Sequence, residues 1–156
     1  MRRARCARSS RVREAAFFFY GTLMDRDLLS EVLGRRIPLR ALLPARLPGY
    51  RRAAVRGAAY PIILPQRGAS VRGVILRRVR PVKRSRLCAY EGDGYEPVCA
   101  MAELPGKRRA RVFLFKSKPG AYTVTSSPCS FATWRLRHKR LEIAAITKDS
   151  LALPAS

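Results

Sequence analysis

The apolar residues of this chain come in short runs, most of them stopped by glycine or proline, and that punctuation limits the folds open to it. Phe17-Phe18-Phe19-Tyr20 ends at Gly21 and reads as a buried strand that leaves into a tight loop. Segments 39–47, 50–56 and 60–64 read as short strands separated by Pro44, Pro48-Gly49, Gly57, Pro61 and Pro65. Ser70 to Val79 is a longer strand with Gly73 inside it, a sign of a bulge or a close backbone approach. Residues 95–103 and 109–116 are again β-rich. Helices fill the gaps. Asp25 caps one through Leu33, with Leu28, Leu29, Val32 and Leu33 on one face and Gly34 as the stop. Pro81 suits the first turn of a second helix reaching about Tyr90. A third runs from about Ser130 to Ala145, with Phe131, Trp134, Leu141 and Ala145 at spacings of three, four and seven. Many short strands with two or three helices define an α+β domain, a small barrel flanked by helices.

With 156 residues the chain suits one domain. We expect residues 17–145 to form it, behind a basic stretch at 1–16 and ahead of a tail at 146–156. An apolar share of 47% excludes a wholly disordered basic tail, and no apolar run has the length of a membrane-spanning helix, so no membrane association is expected. Charge is the outlier. Lys and Arg number 33 against 10 Asp and Glu, a net charge of +23. Six arginines (Arg2, Arg3, Arg5, Arg8, Arg11, Arg13) crowd the start, and the remainder without those six still carries +17. That start is Arg-rich and acid-poor; it suits an organellar transit peptide or an unstructured extension. Elsewhere the charge is spread over segments 35–56, 72–86, 107–118 and 135–140. A nucleic-acid reader usually gathers its charge on one helix or stripe, so spread charge reads first as a solvated basic surface.

Cys6, Cys88, Cys99 and Cys129 contain no CxxC pair, and the single histidine, His138, does not complete a zinc site of usual spacing with them. Free thiols in a cytoplasmic setting are the default, and no metal is expected.

Two segments carry groups suited to chemistry. Tyr20-Gly21-Thr22-Leu23 turns from a buried strand toward a helix, and successive amides in such a turn can hold a carboxylate or carbonyl oxygen. Leu87 and Glu91 are four apart and share a helix face, which puts the Glu91 carboxylate at the edge of the core. Desolvation there raises its proton affinity; the surrounding basic charge would lower it. Gly92 and Gly94 then release the chain into the strand that begins at Tyr95. Taken singly, the tetrapeptide is a strand-to-helix turn and Glu91 a surface residue at a helix end. Tyr20 and Tyr95 suit a pocket wall and a core equally.

The ordered blocks FFFYGTL, AAYPIILP, VRGVIL, RLCAYEGDGY and SPCSFATWRLRHKR, across roughly residues 17–140, resemble the gamma-glutamylcyclotransferase-like family. The likeness is to its branch of small avirulence-induced-like (AIG2-like) proteins, which includes gamma-glutamylamine cyclotransferases. The resemblance implies a mixed β-barrel with flanking helices and the release of 5-oxoproline from a small gamma-glutamyl amide or amine, without metal or cofactor. It further implies that Glu91 is the general acid/base. Tyr20, Gly21, Thr22 and Leu23 would bind the glutamyl part, with Tyr95 lining the pocket. Cys88 stands where relatives usually carry aspartate, and Cys129 where an aromatic is common. The alternative function is a binding module of the same fold whose arginines engage nucleic acid or another polyanion without turnover.

Overall fold

The computed structural model describes residues 14–58, 60–126 and 131–151. Its strands are β1 (Ala15–Phe19), β2 (Leu42–Val55), β3 (Pro61–Val79), β4 (Tyr95–Leu104), β5 (Arg108–Ser117) and β6 (Val124–Thr125). Its helices are α1 (Arg26–Leu33), α2 (Pro81–Glu91), α3 (Phe131–Arg137) and α4 (Lys139–Leu151). The sheet runs β3-β1-β5-β4-β2, and β2 also pairs with β3, so five strands close into a barrel. β6 adds to the end of β2. β1 and β5 are parallel while the other pairs are antiparallel, which makes the barrel mixed.

The aromatic run at the start is explained by where β1 lies. Phe18 and Tyr20 point into the barrel with Leu47, Ile63, Ile75 and Leu114. Phe17 and Phe19 point the other way, toward Leu28, Leu29, Leu33 and Leu87 of the helices. A strand covered on both faces has no polar side to show, so the sequence is apolar at every position. Phe17 rests on Phe113 and Phe115, each with ring centroids at 5.7 Å. Gly73 on β3 answers the same crowding: a Cβ there would collide with the Phe19 carbonyl oxygen and the Phe18 ring. The expected close approach is real.

α1 and α2 follow the sequence reading. Asp25 accepts hydrogen bonds from the Asp27 and Leu28 amides, both at 3.1 Å, and Gly34 ends α1 at φ 61°. Pro81 opens α2. Three expectations need correction. Leu39–Ala41 form a short helical turn instead of strand, the rest of 39–47 and 50–56 merges into one 14-residue strand, and 60–64 joins Ser70–Val79 in a 19-residue one. Proline does not break them because Pro61 begins its strand, while Pro48 and Pro65 sit where the register jumps from Pro48↔Ser70 to Tyr50↔Pro65. The C-terminal helix is interrupted at His138 and continues to Leu151, past the expected end at 145. The first strand begins at Ala15, two residues early. Residues 1–13, 152–156 and Cys129 lie outside the described residues, so the readings of the basic start and of Cys129 are not addressed.

The helices are bolted together by charge. Asp25, 4% exposed, meets Lys139 Nζ at 3.0 Å and Arg135 Nε at 3.2 Å, and Lys139 also reaches Asp27 at 2.7 Å. This fastens α3 and α4 to the start of α1. Arg86 on α2 donates to the Val32 carbonyl at the end of α1, at 2.6 Å. α2 and the α3–α4 pair are thereby held on opposite ends of α1.

Candidate active site

Where β1 leaves the barrel, Gly21 starts a single helical turn over Thr22–Met24, closed by hydrogen bonds from the Met24 amide to the Gly21 carbonyl and from the Asp25 amide to the Thr22 carbonyl. At the start of such a turn the amides have no partner within the turn itself, and they remain available to an oxygen atom. The turn is braced from below. Tyr20 Oη donates to the Phe115 carbonyl at 2.6 Å, and Arg52 Nε donates to the Tyr20 carbonyl at 2.9 Å.

Glu91 approaches from the other side as the last residue of α2. Leu87, one turn earlier, is fully buried and seats that face of the helix against the core. Gly92, at φ 76°, then takes a backbone shape that favours glycine and ends the helix. β4 starts three residues on at Tyr95, and Gly94 has to be small because a Cβ there would strike the Tyr122 ring.

These pieces meet at one cavity of about 160 Å³. Its walls include Tyr20, Gly21, Thr22, Leu23, Glu91 and Tyr95, so all six residues singled out from the sequence come together. Tyr20 and Tyr95 prove to be wall and core at once: both are buried and both line the cavity. Tyr95 also joins Tyr60 and Tyr122 in an aromatic cluster, with ring centroids 5.2 to 6.5 Å apart. Cys88, by contrast, is exposed on the outer side of α2 and contributes no side chain to the cavity.

The second carboxylate of the lining was not found from the sequence. Glu142 of α4 also faces the cavity. Its Oε2 accepts from Trp134 Nε1 at 2.7 Å, and its Oε1 accepts from the Tyr90 hydroxyl. Tyr90 in turn lies 3.2 Å from Thr22 Oγ1. The available signal was slight: a lone acid in the basic and apolar stretch RLRHKRLEIAA.

Electrostatics follow from this arrangement. Burial, and then the repulsion of Glu142, push the Glu91 carboxyl up to about 8 from its ordinary value. The competition posed by the +23 charge is decided in favour of burial, because none of the cavity-lining residues is Lys or Arg. Burial likewise raises the hydroxyls of Tyr20, Tyr90 and Tyr95, and Glu91 adds to each. They remain neutral donors at any physiological pH. The basic residues crowd elsewhere: beside the α1–α2 junction, Lys83 is lowered by burial and then by Arg86, Arg35 and Arg80. Among the described residues, no group of three or more His, Cys, Asp or Glu side chains could hold a metal ion, and no helix is long and apolar enough to cross a membrane.

A closed mixed barrel with a strand-to-turn corner and flanking helices defines a gamma-glutamyl cyclotransferase-like fold. A solved structure of gamma-glutamyl cyclotransferase matches it with a TM-score of 0.60 at 15% identity, over 88% of this chain and 80% of that one. A solution structure from Arabidopsis thaliana matches with a TM-score of 0.61 at 25% identity, over 96% of this chain and all of the other. In sequence, AIG2-like protein A of Arabidopsis thaliana is 27% identical over 136 residues, 84% of this chain and 78% of its own length. AIG2-like protein D of the same plant is 27% identical over 146 residues, 89% of this chain and 92% of its own. The family described as gamma-glutamyl cyclotransferase, AIG2-like, matches residues 17–135, and the chain belongs to it. The function is therefore cyclotransferase-like at the level of the family.

Proposed function

We propose that the protein is an enzyme of the gamma-glutamyl cyclotransferase type, releasing 5-oxoproline from a gamma-glutamyl amino acid or amine with Glu91 as its general acid/base. The observation that carries this is that Glu91, with its raised proton affinity, lines the same cavity as residues 21–23 of the turn after β1. The substrate's α-nitrogen attacks its own γ-carbonyl carbon, a C–N bond forms, and the bond to the departing amine breaks. Glu91 takes the proton from the attacking nitrogen and returns it to the leaving one. A carboxyl group titrating near neutrality is suited to both transfers, which typically contribute about 10²–10⁴-fold in rate. The Gly21, Thr22 and Leu23 amides hold the glutamyl carboxylate or the developing oxyanion. Because nucleophile and electrophile belong to one molecule, the cavity's main task is to hold the folded conformer and shed water. Tyr20 and Tyr95 supply the wall against which that conformer packs.

The test is direct. Purified protein is incubated with a panel of gamma-glutamyl amino acids and amines, and 5-oxoproline is measured by chromatography. At least one compound is turned over, and Glu91→Gln abolishes the turnover without changing thermal unfolding by more than a few degrees. Turnover that survives Glu91→Gln would exclude the mechanism.

A further inference from the structure

We propose that Glu142 is a positioning residue of this cavity: a second carboxylate that holds the proton on Glu91 and, through Tyr90, fixes Thr22 at the head of the binding turn. Its role in turnover rests on the function proposed above; its effect on the Glu91 proton does not.

The geometry begins with hydrogen counting. Tyr90 has one phenolic hydrogen, and it is given to Glu142. The contact between Tyr90 and Thr22 therefore runs the other way, with the Thr22 hydroxyl donating. A directed chain results, Thr22 to Tyr90 to Glu142, joining the turn after β1 to α2 and to α4. Trp134 Nε1 donates to the other Glu142 oxygen. Both oxygens thus accept, and an indole N–H can do nothing but donate.

Glu142 lines the cavity that Glu91 also lines, and no ion pair joins it to a cation among the described residues. The groups turned toward the pair are Tyr20 and Thr22 beside β1, Tyr90 on α2, Tyr95 on β4, and Trp134 on α3, all of them neutral. Tyr60 and Tyr122 complete the ring of phenols around Glu91. Two cations of the same helical stretch, Arg135 and Lys139, are engaged by Asp25, and Lys139 by Asp27 as well. Two carboxylates sharing such a space do not both ionise readily, and the one with no donor among the described residues keeps the proton. The upward displacement of Glu91, with Glu142 as its second cause after burial, agrees with this.

The experiment is an NMR titration of the protein carrying carboxyl-¹³C glutamate, in the wild type and in Glu142→Gln. In the wild type the Glu91 carboxyl titrates near 8, and the Glu142 resonance registers the same step. In Glu142→Gln the Glu91 midpoint falls by about one unit or more, a tenfold loss of proton affinity. Glu142→Asp, which keeps the charge, leaves the midpoint nearer the wild-type value; a merely structural role would move it in neither variant. A Glu142 resonance blind to the Glu91 step overturns the proposal even if Glu142→Gln does not fold. So does a Glu91 midpoint that stays put in a folded Glu142→Gln. With substrate, the rise of kcat/KM with pH moves to lower pH in Glu142→Gln by the same interval. If the titration behaves as stated but no gamma-glutamyl compound is turned over, the proposed function fails and the carboxylate pair stands.

Discussion

Two acids of this basic protein are set into its interior with opposite surroundings. Asp25 receives two backbone amides, Lys139 and Arg135, and serves as a rivet between α1 and the α3–α4 pair. Glu91 receives no cation among the described residues; it faces a cavity, four tyrosines and a second carboxylate. A chain with 33 Lys and Arg residues has ample means to neutralise an acid. That it does so at Asp25 and not at Glu91 separates a structural carboxylate from one kept ready to exchange a proton. Paired acids hold a fold together, whereas unpaired acids in a cavity cost stability and are retained where they serve a reaction.

The contrast is broken most sharply by removing the charge at each acid. Glu91→Gln should lower 5-oxoproline release by about 10³-fold or more, in line with loss of a general acid/base, without lowering the unfolding free energy. Asp25→Ala should do the reverse. Losing the cap and leaving Lys139 with Asp27 alone is expected to cost about 2 kcal/mol, read from urea unfolding. The remaining activity should fall less than tenfold once the protein is held folded at low temperature. Leu87→Ala tests the helix face that aims Glu91. It should cost about 3 kcal/mol from the cavity it leaves, and lower kcat more than it raises KM.

The pH dependence of stability reads the same carboxyl. The native Glu91 keeps its proton up to about 8, while the unfolded chain gives it up near the ordinary carboxylate value. The native state then binds the extra proton between those limits, so stability falls as pH rises through that window and levels off above it. Thermal melts from pH 4 to 9 should show this slope in the wild type, and Glu91→Gln should flatten it. An unchanged slope in the variant would assign the pH dependence to another group.

Much of the site was legible because its signals are local. A glycine after an aromatic strand, an Asp cap, a proline at the first turn of α2 and a glutamate followed by glycine each act within a few residues. β2 and β3 were misread for a related reason. Proline and glycine punctuate locally, but a long antiparallel pair absorbs them at a register jump, which only the partner strand reveals. Glu142 was invisible on different grounds. Its meaning depends on Tyr90, 52 positions earlier, and on how α4 is bolted to α1. On a helix surface a lone glutamate has no distinguishing neighbours in the sequence. The excess of arginine suggested polyanion binding at first sight; with the cavity in view, its most telling property is that it stays outside the lining.

The hydrogen bond from Tyr20 to Phe115 spans 95 positions of the chain, and β1 lies between β3 and β5. The strand that delivers the binding turn is the first described strand in chain order, yet it cannot be locked until β5 arrives beside it. Contacts so distant are slow to form, because loop closure is paid for before they reward it. Barrel closure therefore waits on β5, and the cavity, which Glu142 of α4 also lines, is complete only once α4 follows. A nascent chain that has not yet emerged beyond residue 115 holds no working pocket, and a protein that has lost β5 loses the pocket with it.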